Sequence, residues 1–264
     1  MVFKIAVCIK QVPDTNDIKW TENNTIQRDG LDSVINPYDI GAIQLAKNVK
    51  FMCDEAEITV VTMGPKQAKK ALKLAIAMGC DRAFLLSDKK FSGADTLATA
   101  YTLSQFLKAE DYKLIICGQQ AVDGDTAQTP SCIAEKLNIP QVTNIAALKE
   151  FNNEYSIWLK ETCDYVQEIK SGYPTLIAVN IANAEILPDI NGYIKAQNTQ
   201  IITLTADDLM ADSNLIGLKG SPTQVKSTFR PVTVRNTILL ENESAQNYAQ
   251  YIIKEINQCK EKNE

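Results

Sequence analysis

Histidine is absent from all 264 residues. That removes Ser-His-Asp triads, Cys-His pairs and imidazole metal sites from the chemistry open to this chain. Any reaction must draw on carboxylates, lysine, tyrosine, cysteine or a borrowed cofactor. The seven cysteines (Cys8, Cys53, Cys80, Cys117, Cys132, Cys163 and Cys259) include no C-x-x-C pair. Their odd number and their place in apolar runs point to buried, reduced thiols rather than a disulfide framework, zinc or an iron–sulfur cluster. No metal site and no catalytic side chain is expected. The glycine-rich phosphate motifs G-x-x-x-x-G-K-[ST] and G-x-G-x-x-G are also lacking. No apolar run nears the roughly 20 residues that span a bilayer. The first residues show neither a signal peptide's hydrophobic region nor the Arg/Ser-rich character of a transit peptide, so a cytoplasmic location without membrane insertion is expected. An excess of positive charge is missing too: the net charge is -5 and the pI about 5.0, which argues against nucleic acid as a partner.

What the chain does have is a large apolar share, 45% hydrophobic residues, in an alternation of strand-like and helix-like segments. Strands are expected at 4–9, 57–62, 82–86, 113–117 and 175–180. Helices are expected from Pro37 to about Phe51, 66–78, 94–109, 128–137, 187–196 with Pro188 in the first turn, and 244–260. Pro37 suits a first helical turn, with Asn36 as its cap, and Gly79 suits a helix end. Between 146 and 170 the pattern changes to antiparallel strands on short turns. Strands separated by helices of this length imply an α/β fold, Rossmann-like, with a mainly parallel sheet. The domain boundaries expected are 1–205 for the α/β domain and 206–264 for a C-terminal arm and helix. The arm reads equally well as a wrap around a partner and as a surface-hugging tail.

In such sheets ligands sit beyond the C-terminal strand ends, at a topological switch point. The loops after the first, second and fourth strands are therefore the places to look. The fourth strand delivers Gly118-Gln119-Gln120-Ala121-Val122-Asp123-Gly124-Asp125-Thr126 and then a helix. Gly124 lets the backbone approach a ligand. Thr126 and Thr129 supply hydroxyls, and the helix start offers N–H groups to a phosphate. The same residues also suit an ordinary capped helix start, with Asp125 or Thr126 as the cap. Asp123 and Asp125 could be read as an acid/base pair or a magnesium site, although loop aspartates more often bond nearby backbone.

Several stretches together resemble the beta (small) subunits of electron transfer flavoproteins. They are Cys8-Ile9-Lys10-Gln11-Val12-Pro13-Asp14, Asn36-Pro37-Tyr38-Asp39, Met63-Gly64-Pro65, Ala75 to Arg82, and above all Gly118 to Thr129, followed by Ala134-Glu135 and Pro140. The resemblance implies an adenine-nucleotide-binding α/β domain whose pocket is made by four matched stretches. These are Cys8; Asn36, Pro37, Tyr38 and Asp39; Met63; and the run Ala121, Val122, Asp123, Gly124, Asp125, Thr126, Ala127, Gln128, Thr129, Pro130, Ser131 and Cys132. It implies a heterodimer with an alpha subunit that carries a flavin, FAD, with Thr15 at the position near that flavin. Leu187 matches an exposed leucine that docks into a partner flavin dehydrogenase, of the acyl-CoA, enoyl-CoA or 2-hydroxy-acid type; the same stretch also reads as an ordinary helix start.

The family has two branches. In one the small subunit holds AMP in a purely structural role. In the other it holds a second FAD, NADH is oxidised there, and the electron pair is split between a low-potential acceptor such as ferredoxin and a dehydrogenase. Val122 to Thr126, with the small Gly124 and Thr126, and Ser221-Pro222-Thr223 resemble the second, bifurcating branch. Pro130 stands where the family carries glycine. FAD is therefore the cofactor expected, with AMP as the alternative. A reading from another class, an ATP-using adenylating enzyme on a related fold, lacks its Ser-Gly-Gly-x-Asp-Ser loop and its histidine signature here.

Overall fold

The computed structural model describes residues 2–14, 33–181, 184, 186–226, 239–240 and 244–261, with the side chains of the last helix given to 257. In chain order the elements are β1 (Phe3–Cys8), β2 (Gln11–Pro13), β3 (Ser33–Ile35), α1 (Pro37–Met52), β4 (Ala56–Met63), α2 (Lys69–Ala77), β5 (Arg82–Leu86), α3 (Thr96–Leu107), β6 (Leu114–Gly118), α4 (Thr129–Leu137), β7 (Gln141–Phe151), β8 (Tyr155–Glu161), β9 (Val166–Gly172), β10 (Thr175–Val179), α5 (Ile190–Asn198), β11 (Ile201–Leu204) and α6 (Ala245–Glu261). One 3-10 turn, Lys66–Ala68, leads into α2, and another, Lys89–Phe91, precedes α3.

β1 is buried along almost its whole length, as an unbroken apolar run demands of a strand covered on both faces. It lies at the middle of a nine-stranded sheet of order β11-β5-β4-β1-β6-β10-β7-β8-β9. All pairs from β11 to β7 are parallel, and β8 and β9 extend the sheet as antiparallel strands. The chain builds outward from β1 through β4 to β5, then crosses back to place β6 on the other side of β1. The switch point falls between β1 and β6.

Each face of the sheet has its own core. On one, α1, α2 and Ala196 of α5 cover Ile5, Val7, Ile58 and Val60, with Trp158 buried at the far side. On the other, α3 and α4 cover Ala6, Cys8, Ile115 and Cys117. The two outer helices are seated closely. A side chain at Gly41 of α1 would come within 2.4 Å of the Ile181 carbonyl, and one at Gly192 of α5 within 2.2 Å of the Ala77 carbonyl. Among the described residues no helix is long and apolar enough to cross a membrane.

The structure corrects several sequence expectations. Helix α5 begins at Ile190, not Leu187, because Asp189 takes the cap position and accepts from Gly192 N at 2.6 Å. Pro188 precedes the cap. The expected polar loop before α1 contains the antiparallel pair β2 and β3. β11, a parallel edge strand, was not foreseen. Residues 206–226 are no extended arm: Ala206, Leu209, Ile216 and Ser221 are buried, and the compact unit runs to Lys226 rather than ending at 205. A second unit, 227–264, contains α6. There Ser244 Oγ accepts from Asn247 N at 3.2 Å, and Ile252, Ile253 and Ile256 are exposed.

Candidate functional site

The C-terminal ends of β1 and β6 meet the start of α1 at the switch point. Asp39, in the first turn of α1, joins them. Its carboxylate accepts from Lys10 N at 2.6 Å and from Gly118 N at 3.2 Å. Gly118 must be glycine: an added side chain would lie 2.2 Å from Asp39 Oδ1 and 2.8 Å from Tyr38 Cβ. Burial pushes the Asp39 carboxyl up to about 7, against the hydrogen bonds from Lys10, Asn36 and Gly118, which act to lower it.

Asn36 occupies the cap position of α1, as expected, but its side chain makes no cap bond. It reaches across to the loop after β6 instead. Asn36 Nδ2 donates to Gln120 O at 2.8 Å, and Asn36 Oδ1 accepts from Val122 N at 3.1 Å. The side chain is fully buried, so this pair of bonds is shielded from water. Gln119 ties the same loop to β7, accepting from Asn144 N at 2.9 Å.

Beyond Val122 the loop turns tightly. Asp125 N donates to Ala121 O at 2.8 Å. Asp125 and Ala127 hold φ of 50° and 53°, in the left-handed region that side chains disfavour. Asp123 forms an ion pair with Lys10 Nζ at 2.5 Å. Gly124 faces open space: a side chain there would meet only Lys10 Nζ, at 3.8 Å. Thr126 Oγ1 lies 3.4 Å from Thr96 Oγ1, at the start of α3.

Helix α4 then starts without a side-chain cap. Gln128 sits at the cap position and makes no side-chain bond to the helix. Asp125 and Thr126, the caps considered from sequence, do not fill this role. Thr129 and Pro130 form the first turn, where a proline costs no hydrogen bond, so Pro130 fits the helix in place of glycine. Ser131 and Cys132 follow, and Cys132 N donates to Gln128 O at 3.0 Å. The result is a helix start at which the Thr129 and Ser131 N–H groups remain available to an anion, beside a loop with hydroxyls and open space.

Cys8 and Cys117 are register partners on β1 and β6, both buried beneath the site. The neighbouring Cys8 thiol and burial hold the Cys117 thiol well above its usual range. It stays protonated at neutral pH and is no nucleophile. Nor do Asp123 and Asp125 make a free carboxylate pair, since the Asp123 side chain is 5% exposed and held by Lys10. Among the described residues no cluster of three or more Cys, Asp or Glu is arranged to hold a metal ion.

The structure thus brings together Cys8, Asn36 to Asp39 and Ala121 to Cys132. Met63 ends β4, next to β1 in the sheet, and is half-buried. Leu187 stands elsewhere, in the link from β10 to α5, with 90% of its surface exposed, and Ile190 at the start of α5 is exposed too. Thr15 lies outside the described residues. Lys10, Gly118, Gln119 and Thr96 were not among the site residues expected. Lys10, Gly118 and Gln119 lie within the stretches that carry the resemblance, whereas Thr96 had no such signal.

The chain matches the model of the electron transfer flavoprotein domain over residues 23–209. It is 43% identical to the electron transfer flavoprotein subunit beta of Thermoanaerobacterium thermosaccharolyticum over 234 residues, 88% of this chain and 89% of that protein. It is 39% identical to the subunit of the same name from Megasphaera elsdenii, over 91% of this chain and 92% of that one. It is also 38% identical to the caffeyl-CoA reductase-Etf complex subunit CarD of Acetobacterium woodii, over 86% and 88%. A mostly parallel α/β fold and likeness along nearly the whole length agree: this chain belongs to the electron transfer flavoprotein family, as a subunit of the beta kind with a role in electron transfer.

Proposed function

We propose that this subunit binds FAD in the cleft between the ends of β1 and β6, and pairs with an electron transfer flavoprotein alpha subunit that carries a second FAD. The observation that carries the reading is the uncapped start of α4 beside the open space at Gly124. Free N–H groups suit a pyrophosphate, and the absent side chain leaves room for a ligand larger than AMP. The donor set fits: the N–H groups of Thr126 to Thr129 and of Ser131, with the hydroxyls of Thr126 and Thr129, are neutral donors. The nearby Asp123 charge is balanced by Lys10.

When bound, the flavin supplies the redox chemistry, accepting a hydride from NADH and passing electrons on singly, one toward a low-potential acceptor such as ferredoxin. The chain's own residues hold and orient it. Asn36 and Asp39 lock the loop and α1 to the sheet, and Cys8, Tyr38 and Met63 border the cleft. Thr15, outside the described residues, matches the family position near the alpha-subunit flavin. The α6 face of Ile252, Ile253 and Ile256 contacts the alpha subunit, which accounts for apolar side chains left in water. Leu187 docks a flavin dehydrogenase of the acyl-CoA, enoyl-CoA or 2-hydroxy-acid type. The likeness to a subunit named for a caffeyl-CoA reductase complex supports this class.

The test is to co-purify the chain with its alpha subunit, release the cofactors by denaturation and count them. Two FAD and no AMP per heterodimer is the expected result, followed by NADH oxidation. One FAD with one AMP overturns the reading and leaves a structural nucleotide.

A further inference from the structure

We infer that Lys10 is the positioning residue of the nucleotide loop: through its ion pair with Asp123 it holds residues 119–128 in their binding shape. The inference rests on the reading of this cleft as a nucleotide site and adds a residue to it. Lys10 follows the last residues of β1, and Asp123 lies 113 positions further on, at the crown of the loop after β6. The contact measures 2.5 Å, with the Asp123 side chain 5% and the Lys10 side chain 44% exposed. The carboxylate is therefore almost wholly removed from water, while the lysine reaches in from the surface.

The loop needs such a tie. Asp125 and Ala127 sit in the left-handed region without being glycine, a conformation that persists only where surrounding contacts impose it. Asn36 grips the loop's first half, at Gln120 O and Val122 N. Beyond Val122, the bonds that reach other parts of the chain among the described residues are the Lys10–Asp123 pair and the long contact of Thr126 with Thr96. Lys10 is itself fixed at its backbone: its N–H donates to Asp39, and its carbonyl accepts from Asn36 N at 2.9 Å. One residue thus links the end of β1, the start of α1 and the crown of the loop.

The pair also decides the charge that an incoming phosphate meets. With Lys10 in place the Asp123 carboxylate is neutralised. Without it, a buried anion stands unpaired next to the donors of the α4 start, and both the loop shape and the local potential turn against a nucleotide. This separates positioning from direct contact. A lysine that merely touched a phosphate would be missed whatever stood at 123. A lysine that neutralises Asp123 is missed chiefly while Asp123 keeps its charge.

The experiment is a double-mutant cycle on the full chain co-expressed with its alpha subunit, using Lys10→Met, Asp123→Asn and both together, with Lys10→Arg as the conservative control. Two readouts are taken: amide exchange of residues 119–128, and the dissociation constants of FAD and AMP for cofactor-stripped heterodimer. Lys10→Met is expected to speed exchange in the loop and weaken nucleotide binding by about tenfold or more, since it leaves a buried charge unpaired. The double variant is expected to regain most of that loss, and Lys10→Arg to bind as wild type. Unchanged loop exchange in Lys10→Met overturns the proposal. So does a double variant as weak as Lys10→Met with Asp123→Asn at wild-type affinity, the pattern of a direct phosphate contact. If wild-type heterodimer binds neither nucleotide, the nucleotide reading fails by itself, and loop exchange still decides whether Lys10 holds the loop.

Discussion

Asp39 and two glycines show how much single atoms decide here. Asp39 lies nearly free of solvent, between the ends of two strands, and burial raises its carboxyl to about 7 from an ordinary value of 3.8. A carboxyl raised on folding binds its proton more tightly in the native state than in the unfolded one. Stability is therefore full below pH 3.8 and is lost as pH rises toward 7, by at most about 1.4 kcal/mol per pH unit. Denaturation of wild type and Asp39→Asn between pH 4 and 8 checks this: the difference between them should drift across that window and flatten above it. A pH-independent difference would remove Asp39 as a titrating group. The glycines divide by what surrounds them. Gly118→Ala must displace Asp39 or Tyr38 and is expected to cost upward of about 2 kcal/mol, or to prevent folding. Gly124→Ala meets only the end of Lys10. It should leave the melting temperature within the small range of a surface substitution, about 0.5 kcal/mol. If FAD fills that space, the same change weakens FAD while sparing AMP, as titration of stripped heterodimer would read.

At the scale of elements, the strands with unbroken apolar runs were the most legible. β1, β4, β5, β6 and β10 fall within a residue or so of expectation, because burial on both faces leaves no polar interruption to misread. Helix α5 was read early, since proline favours a first turn, but Asp189 offers a side-chain acceptor that Leu187 and Pro188 cannot. β11 has four residues, two of them exposed, which is too short for any period to show. Residues 206–226 escaped because long-range bonds hold them: Ser221 Oγ accepts from Asp95 N at 2.8 Å, and Asp95 Oδ2 accepts from Thr223 N and Oγ1. In the site the matched stretches were readable, yet the Asn36 side chain leaving its cap for Gln120 and Val122 was not, since sequence order says nothing of what faces it. The way α5 is held was equally hidden. Lys73 Nζ donates to the carbonyls of Ala196 at 2.5 Å and Thr199 at 2.8 Å, and Lys195 pairs with Asp81 at 2.9 Å. The Lys73 bonds satisfy free carbonyls at the helix end. Lys73→Met is expected to loosen α5 by about 1 kcal/mol, visible as faster amide exchange over 190–198 with the central strands unchanged.

At the scale of the molecule, the α/β sheet and its cover lie within the first unit. Both core clusters, the nine strands of the sheet and five of the helices fall before residue 227. Residues 206–226, which the loss of periodicity after about Thr205 assigned to the arm, bury Ala206, Leu209 and Ile216 against the α3 side and belong to the first unit. What remains, 227–264, offers α6 with Ile252, Ile253 and Ile256 in water, too little apolar surface for a core and a natural stripe for another chain. The two units should therefore separate in experiment. A chain cut after Lys226 is expected to keep the far-ultraviolet spectrum of the α/β unit and a cooperative melt. If the α6 stripe is the contact proposed above, the cut chain is expected to lose co-purification with the alpha subunit. A shortened chain that melts without cooperativity would show that the last residues complete the first core. One that still assembles at full yield would move the subunit contact off α6 and onto the faces of the sheet domain itself.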